Sequence, residues 1–356
     1  MKFGTESKNI SVIQAQYEAQ KIAFSPFVFQ ASVALRDLKI LSTIMDAGKS
    51  GISFNALKEK LKLSDYAMRV LLEAGQASAI IYEEEEKYHL TKVGYFLDND
   101  EMTKVNMNFT RDVCYDGLSK LTESIEVEKP EGLSCFGNWN TIYEGLTALP
   151  ERAQQSWYDF DHFYSDLSYD VILPIVFSEK PKTLMDAGSN TGKFSLKCLV
   201  YDKNIRVTLL DHAIQLEKAS ANIKTAGYSD RAQLVSFDFL KSEEMPKGQD
   251  VIWMSQFLDC FSEEQVMSIL CRAKRALNPN GKLFILETCW DRQKYEGASF
   301  SIIQTSLYFT ALANGNSKMF GSDRLTKCIE ESGFKVSEET NHVGGYHTLF
   351  CCKPVL

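Results

Sequence analysis

The chain has 356 residues with 44% hydrophobic side chains, and its 47 acidic and 39 basic residues leave a net charge of -8. This length and composition predict a globular protein of two domains and exclude a largely disordered chain. No apolar run is long enough to cross a bilayer, and the negative charge argues against a nucleic-acid partner. The N-terminus lacks an apolar signal core, and the nine scattered cysteines include no Cys-x-x-Cys pair. We therefore expect a cytoplasmic protein with reduced thiols, no membrane partner and no bound metal.

The N-terminal part of the chain predicts three helices and a hairpin. Apolar residues at helical spacing predict helices over residues 27–48 and 52–61, and Ser64 is a plausible N-cap for a third helix. A hairpin over residues 79–91 follows, with four glutamates at its tip. Three helices and a hairpin are the pattern of a winged helix, which can bind DNA through its third helix and wing. Four glutamates at the wing tip would repel phosphates, so we do not expect DNA binding.

Aromatic side chains are concentrated in two predicted helices in the rest of the chain. A less regular helical segment over residues 106–129 comes after the wing, and residues 153–173 then form the first aromatic helix. Its aromatic residues are Trp157, Tyr158, Phe160, Phe163, Tyr164 and Tyr169. The second helix, over residues 300–313, contains Tyr308 and is ended by Asn-Gly-Asn-Ser. Such helices either pack in the core or form the walls of a pocket for a flat, largely apolar ligand.

A strand, a glycine-bearing turn and a helix follow one another from residue 183 onward. The turn contains Gly188 and Gly192, with Asn190 between them at a position that also tolerates a positive φ. This arrangement lets backbone approach a nucleotide-like ligand closely, although an ordinary βα turn has the same pattern. Asp186, before the first glycine, would repel a pyrophosphate but suits a ligand with an ammonium group. S-adenosylmethionine has an ammonium group, a sulfonium cation and a ribose diol.

Further strands and helices alternate after this motif. A second apolar strand over residues 207–210 ends at Asp211, which can accept hydrogen bonds from ribose hydroxyls. The next predicted elements are strands over residues 233–236, 250–254 and 282–287, a helix over residues 263–277 and a turn over residues 278–281.

This order of parts resembles the class I S-adenosylmethionine-dependent methyltransferases, and in particular the small-molecule O-methyltransferases with an N-terminal winged-helix dimerisation domain. The resemblance covers nearly the whole chain. It implies a mostly helical dimerisation domain over residues 1–105, a helical linker with pocket helices over residues 106–178, and an α/β, Rossmann-like doubly wound catalytic domain over residues 179–356. It also implies S-adenosyl-L-methionine as cofactor, a small aromatic substrate and a homodimer.

The resemblance assigns candidate binding residues. Those implied for the cofactor are Asp186, Gly188, Asn190 and Gly192 at the methionine end, Asp211 and His212 near the ribose, Asp238 and Phe239 near the adenine, and Ser255 with Gln256 after the fourth strand. The family often has a lysine where Ser255 and Gln256 occur, and Asp238 is alternatively a loop-capping aspartate. Those implied for the substrate are Trp157, Phe160, His162, Phe163 and Tyr308.

The catalytic base is where the chain departs from the family. Family members have a His-Asp-Trp run after the fourth strand, and its histidine takes the proton of the substrate hydroxyl. Here Asp259 occupies the position of that histidine, and Glu287 matches an acid that normally steadies it. An ordinary carboxylate is a weak base toward a phenol, but burial and a neighbouring carboxylate raise its pKa. His162 and His347 are alternative bases, although each is more typical of a packed or surface histidine.

Three functions remain open from the sequence. The first is methyl transfer to a hydroxyl of a small aromatic or polyketide-like molecule, with Asp259 as the base. The second is methyl transfer to an aromatic carbon ortho to a phenol, with the same carboxylate taking a proton. The third is a dimer that binds the cofactor and has a regulatory role without catalysis.

Overall fold

The computed structural model describes residues 9–165 and 168–355, and the chain divides into two compact units, Met1–Arg111 and Asp112–Leu356. The side chains of Tyr164 and Ser165 are not described either. The N-terminal residues considered for a signal core, and the aromatic side chain of Tyr164, therefore lie outside the described residues. No helix in the described part of the chain is both long and apolar enough to cross a membrane.

The first unit is mostly helical. Its helices are α1 (Val12–Ala23), α2 (Ser25–Asp37), α3 (Ile40–Asp46), α4 (Phe54–Leu61), α5 (Asp65–Ala77), α6 (Lys92–Asn99) and α7 (Glu101–Phe109). Its strands are β1 (Ile52–Ser53), β2 (Ile81–Glu84) and β3 (Lys87–Leu90), which form an antiparallel sheet in the order β1-β3-β2. Leu41, Leu57, Met68 and Ile80 join one apolar cluster among these helices and the hairpin. The predicted winged helix is therefore confirmed.

Local sequence accounts for most of these boundaries. Ser64 caps α5 because its hydroxyl accepts a hydrogen bond from the Ala67 amide at 3.1 Å, as predicted. The single helix predicted over residues 27–48 is wrong, since Lys39 takes a left-handed conformation with φ 64° and separates α2 from α3. This break lets Leu35 and Leu41 both reach the same core.

The second unit is built on a mostly parallel sheet. Its strands are β4 (Thr183–Ala187), β5 (Arg206–Asp211), β6 (Ala232–Ser236), β7 (Gln249–Ser255), β8 (Leu277–Glu287), β9 (Phe334–Val343) and β10 (His347–Pro354). Among the described residues these seven strands have the order β6-β5-β4-β7-β8-β10-β9. The first five are parallel, whereas β10 is antiparallel to both of its neighbours.

Helices cover both faces of this sheet, which is why its central strands are almost continuously apolar. The helices of this unit are α8 (Leu121–Val127), α9 (Ile142–Gly145), α10 (Glu151–Ser165), α11 (Tyr169–Val176), α12 (Lys193–Tyr201), α13 (Ala213–Thr225), α14 (Glu263–Ala276), α15 (Glu296–Tyr308) and α16 (Ser322–Glu331). Met185 and Ile252 face the side of α14 and α16, while Leu184 and Trp253 face the side of α11 and α12. The Rossmann-like doubly wound fold is therefore confirmed.

Three further sequence-based boundaries need correction. The helical segment predicted over residues 106–129 is interrupted by a π-helical turn at Thr110–Cys114 and a 3-10 turn at Gly117–Lys120. The aromatic helix predicted over residues 153–173 is two helices, α10 and α11. Residues 278–281 belong to β8, where the pairing of Gln249 with Leu277 and of Val251 with Lys282 makes them a bulge. The Asn-Pro-Asn-Gly sequence of this segment therefore bends a strand and does not form a turn between two elements.

The tip of the wing carries backbone strain. Glu85 and Glu86 both have left-handed conformations, with φ 49° and 58°, in the two-residue connection between β2 and β3. Asn-Gly is the pair that such a turn prefers. We expect Glu85→Asn with Glu86→Gly to stabilise the hairpin by about 1 kcal/mol. Hydrogen exchange of the β2 and β3 amides and the unfolding temperature of the full chain would measure this.

The control for this turn is Glu85→Gln with Glu86→Gln, which removes the same two charges and leaves the side chains on left-handed backbone. Equal protection in the two variants would assign the gain to relief of charge repulsion, and would contradict backbone strain as the cause.

Candidate active site

The turn after β4 has the left-handed backbone that its sequence predicts. Gly188, Asn190 and Gly192 have φ values of 78°, 47° and 77°. A Cβ on Gly188 would collide with the Phe257 ring, so a close approach fixes glycine at this position. The turn places Gly192 immediately before α12, where the backbone amides of the first helical turn face outward.

Asp211 holds this turn against the neighbouring strand. Its Oδ2 accepts the amide of Asn190 and its Oδ1 accepts the amide of His212, each at 2.7 Å. Because β4 and β5 are parallel neighbours, their carboxyl ends meet at one edge of the sheet. Burial raises the pKa of the Asp211 carboxyl, while the amide hydrogen bonds act in the opposite direction. His212 is exposed at the N-terminus of α13.

Asp186 is the buried acid of this edge. Its Oδ2 accepts a hydrogen bond from the Ser195 hydroxyl of α12 at 2.6 Å. Burial raises its pKa to about 7, against the opposing effect of the Ser195 hydrogen bond. A nearby cation would lower the pKa of this buried carboxyl, because a positive charge favours its ionised form.

A cleft that is open to solvent lies beside the turn. Six of the residues predicted to bind a ligand line it: Asp186, Gly188, Asn190, Ser255, Gln256 and His162. The other lining residues are Asp161, Tyr169, Ser189, Thr191, Lys193, Phe194 and Trp253. Of these, the sequence marks only Tyr169, as one of the aromatic side chains that pack in the core or line a pocket. The only signal for Asp161 is its place beside His162 in the aromatic helix.

Asn190 joins the turn to helix α10. Its Nδ2 donates a hydrogen bond to Oδ2 of Asp161 at 3.0 Å. Its Oδ1 is buried and has no hydrogen-bond partner among the described residues, and the Ser189 hydroxyl is in the same state. Buried polar atoms without partners are costly unless a ligand or water satisfies them. A polar ligand such as the methionine part of S-adenosylmethionine therefore fits this cleft.

The residues predicted to contact the adenine are outside the cleft lining. Oδ1 of Asp238 accepts the amide of Leu240 at 3.0 Å, and Oδ2 lies 3.4 Å from Nζ of Lys241. This is the loop-capping arrangement considered as the alternative for Asp238. Phe239 is buried against the rings of Phe237 and Phe257, with centroids 5.0 and 4.6 Å away. A role at the adenine stays a prediction for both residues.

Asp259 lies in a 3-10 turn, Leu258–Cys260, that follows β7. Oε1 of Glu287, at the end of β8, accepts the amides of Phe257 at 3.0 Å and Leu258 at 2.8 Å. Burial raises the pKa of the Asp259 carboxyl to about 6. Burial and the charge of Asp259 raise the pKa of Glu287 as well. The direction of the Asp259 pKa shift is the one that burial predicts, and Glu287 holds the backbone of its turn.

The predicted substrate helices contact each other. Nε1 of Trp157 on α10 donates a hydrogen bond to the Tyr308 hydroxyl of α15 at 2.8 Å. Tyr308 is buried, while Trp157, Phe160 and Phe163 are half-buried along α10.

The two alternative histidines have different surroundings. The His162 ring stacks on Tyr158 with centroids 6.0 Å apart, and its Nδ1 is 3.8 Å from Oδ2 of Asp161. His347 is fully buried, and neither ring nitrogen has a hydrogen-bond partner among the described residues. Burial lowers the pKa of His347 to about 4, so it is a neutral, packed histidine. Within the described residues, no group of three or more His, Cys, Asp or Glu side chains could hold a metal ion.

The fold, with the buried acids Asp186, Asp211, Asp259 and Glu287 near the carboxyl ends of its parallel strands, defines a class I methyltransferase domain that follows a winged helix in the chain. The family model of the O-methyltransferase domain matches residues 121–335, more than half of the chain, and that of the Dimerisation2-like domain matches residues 16–88. The chain therefore belongs to the O-methyltransferase domain family, whose members are S-adenosylmethionine-dependent enzymes.

Individual relatives agree with this assignment. An L-tyrosine C(3)-methyltransferase of Streptomyces lavendulae is 23% identical over 317 residues, which is 88% of this chain and 85% of that protein. The structure of the S-adenosylmethionine-dependent methyltransferase SibL superposes with a TM-score of 0.70 at 21% identity, covering 94% of this chain and 98% of SibL. The mitomycin 7-O-methyltransferase MmcR has a TM-score of 0.70 at 16% identity, covering 96% and 98%. The two structural matches show the shared fold.

Gly188 allows a direct test of the turn. We expect Gly188→Ala to weaken binding of S-adenosylhomocysteine about tenfold or more, because the new Cβ meets the Phe257 ring on left-handed backbone. Isothermal titration calorimetry would measure the change. Gly227→Ala is the control, since Gly227 has a φ of 80° and no atom within 4 Å of its Cβ position. Equal losses of affinity in the two variants would contradict a specific role for the turn.

Proposed function

We propose that this enzyme binds S-adenosyl-L-methionine in the cleft beside the β4 turn and methylates a hydroxyl of a small aromatic or polyketide-like molecule, with Asp259 as the general base. The observation that carries the proposal is a buried carboxyl of raised pKa on a turn held by Glu287. This turn follows β7, the parallel neighbour of the strand that leads into the cleft. Parallel strands bind ligands at their carboxyl ends, which is the edge that both loops share.

Two of the cleft residues support binding of the methionine end of the cofactor. Asp186 provides a buried carboxyl for a cationic group, and the side-chain Oδ1 of Asn190 provides an acceptor without a partner among the described residues. Asp211 remains our candidate for the ribose, with His212 beside it, and Asp238 and Phe239 remain candidates for the adenine end. In this assignment residues 179–356 bind the cofactor, residues 106–178 cover the substrate and residues 1–105 form the dimer.

The proposed reaction requires only a moderately strong base at Asp259. When bound, the cofactor would supply a methyl group on a sulfonium; the acceptor oxygen would take this methyl as the sulfur–carbon bond breaks and S-adenosylhomocysteine leaves. As the new oxygen–carbon bond forms, the Asp259 carboxylate takes the proton of the acceptor hydroxyl. Its raised pKa makes it a better base than an ordinary aspartate, and alignment of acceptor and methyl provides much of the rate. Trp157, Phe160, Phe163, His162 and Tyr308 are our candidates for the walls that align the substrate.

Methylation of carbon is the second candidate. The relative from Streptomyces lavendulae, which aligns over 88% of this chain, is an L-tyrosine C(3)-methyltransferase. On a phenol, attack by the ortho carbon would form the carbon–carbon bond first, and the carboxylate of Asp259 would then take the proton from that carbon. Mass spectrometry and proton NMR of the product from a panel of phenols would separate an O-methyl ether from a ring methyl group.

Asp259→Asn tests the base. We expect kcat/KM for methyl transfer to fall by a factor on the order of 10² or more, with binding of S-adenosylhomocysteine retained. In the unaltered enzyme the Asp259 carboxylate is present above its pKa of about 6 and becomes protonated below it. The value of kcat/KM should therefore fall as pH drops below about 6, and the variant should lose this limb. Steady-state rates with a radiolabelled methyl donor between pH 5 and 9 would measure both effects.

Glu264→Gln is the control for the base, because Glu264 is an exposed acid on the first turn of α14. It should keep the rate and the pH profile of the unaltered enzyme. Unchanged turnover in Asp259→Asn would remove Asp259 from the role of base.

We also propose a homodimer formed through the first unit. Helix α1 buries none of its residues within the chain. Val12, Ile13, Ile22 and Phe27 on α1 and α2 are 76, 80, 75 and 70% exposed. Apolar side chains so fully exposed and so close in sequence are typical of an interface. The match to the Dimerisation2-like domain supports a second copy of this chain as the partner.

Ile13→Glu with Ile22→Glu should convert the dimer to a monomer, since two charges would be buried in an apolar contact. Sedimentation velocity at micromolar concentration would measure the change. Gln16→Glu with Gln20→Glu is the matched control, because it adds the same two charges to exposed polar positions of α1. A dimer that persists in the isoleucine variant, or an unaltered chain that sediments as a monomer, would contradict the proposal.

A further inference from the structure

Two side chains beside Asp259 have no part in the mechanism so far. Cys260 is the last residue of the turn that carries Asp259, and Tyr143 is on the short helix α9. The Tyr143 hydroxyl donates a hydrogen bond to Sγ of Cys260 at 3.1 Å. The Cys260 thiol in turn donates to Oδ1 of Asp259 at 3.5 Å. The two contacts form a directed chain that ends on the carboxyl of the proposed base.

The backbone around this chain is held independently of it. Glu287 accepts the amides of Phe257 and Leu258 on one side of the turn. On the other side, Nδ2 of Asn314 donates to the Cys260 carbonyl at 2.6 Å. The main chain of the turn thus keeps its place without the thiol. What the thiol adds is a contact to the Asp259 side chain itself.

A thiol is a weak donor and a weak acceptor, so its position in this chain is informative. A phenol that donates to sulfur polarises the thiol and makes it a better donor, because hydrogen bonds in a chain strengthen one another. A donor on Oδ1 limits rotation of the carboxyl and stabilises its ionised form. Removal of that donor would leave the carboxyl less constrained and harder to ionise.

We propose that Cys260 and Tyr143 are positioning residues of the methyl transfer, with the Tyr143 hydroxyl orienting the Cys260 thiol and the thiol orienting the Asp259 carboxylate toward the acceptor proton. This inference rests on the role of Asp259 proposed above. Neither side chain takes up the transferred proton, and the Tyr143 and Cys260 protons stay on their own atoms throughout.

The variants Cys260→Ala, Cys260→Ser and Tyr143→Phe test the chain. Cys260→Ala should lower kcat/KM at pH 7 about tenfold and move the acidic limb of the pH profile upward by about one unit, because the ionised carboxyl loses a donor. Cys260→Ser keeps a donor and should retain most of the activity. Tyr143→Phe should shift the limb in the same direction by a smaller amount. The measurements are rates from pH 5 to 9, with calorimetric binding of S-adenosylhomocysteine to show that each variant is folded.

Matched controls separate positioning from packing. Cys271→Ala removes a half-buried thiol from α14, and Tyr201→Phe removes an exposed hydroxyl from α12. Both should keep the pH profile of the unaltered enzyme. If Cys260→Ala and Tyr143→Phe lower the unfolding temperature but leave the acidic limb in place, the two residues are structural and the proposal is overturned.

The double variant Asp259→Asn with Cys260→Ala distinguishes the failure of this inference from the failure of the proposed function. Loss of Cys260 should cost nothing further once the base is gone, because residues that act as a unit are not additive. If Asp259→Asn lowers turnover but Cys260→Ala behaves like Cys271→Ala, only the positioning role fails. If Asp259→Asn itself retains full turnover, the role of the base fails and this inference fails with it.

Discussion

The carboxylate of Glu287 organises the edge of the sheet on which the proposed chemistry depends. It accepts the backbone amides of Phe257 and Leu258, which would otherwise be buried donors without partners. Asp211 does the same for the amide of Asn190 in the loop two strands away. In both places an acid at the end of one strand holds the loop that comes after its neighbour. Protein groups therefore shape both loops before a ligand arrives, and binding costs less ordering of the chain.

Burial strengthens these hydrogen bonds, and it also affects whether the carboxyl groups of the site are charged. Burial raises the pKa values of Asp186 and Asp259, so both carboxyls stay closer to neutrality than exposed acids do. A cationic ligand would shift Asp186 toward its ionised form, which supports the proposed cofactor with ammonium and sulfonium groups. Asp259 gains basicity from the same burial. The same burial thus supports the binding role proposed for Asp186 and the proton transfer proposed for Asp259.

Helix α10 explains how an aromatic helix can serve the core and the site together. Trp157 donates to the buried hydroxyl of Tyr308, whereas Asp161 accepts from Asn190 at the cleft. Tyr158 lies between Lys218 of α13 and the ring of His162. The helix therefore contacts the turn after β4, α13 and α15. A substitution in α10 would displace side chains in several of these elements, because close-packed side chains transmit a shift to their neighbours.

Much of the fold can be predicted from short stretches of sequence. Short, continuously apolar runs predict the central strands, because a strand buried on both faces must be apolar wherever it occurs. Apolar residues at helical spacing predict the helices. The left-handed backbone at Asn190 and the cap at Ser64 are equally local, since the preferred conformations of Asn and Ser cause them. The acids at strand ends, Asp186, Asp211 and Glu287, are also visible in the sequence as the residues that end apolar runs.

Other features depend on partners far along the chain. The sequence offers no reason for Asp161 to meet Asn190, 29 residues away, or for Tyr143 to meet Cys260, 117 residues away. It also leaves open whether Asp238 faces a ligand or caps its own loop, and whether residues 278–281 form a turn or a bulge. The sequence alone determined the five parallel strands, the left-handed turn and the acids at the strand ends, because local conformational preference and apolar periodicity act over a few residues. Only the tertiary structure decided which side chains share the cleft and which surround Asp259, because these contacts depend on how distant segments pack.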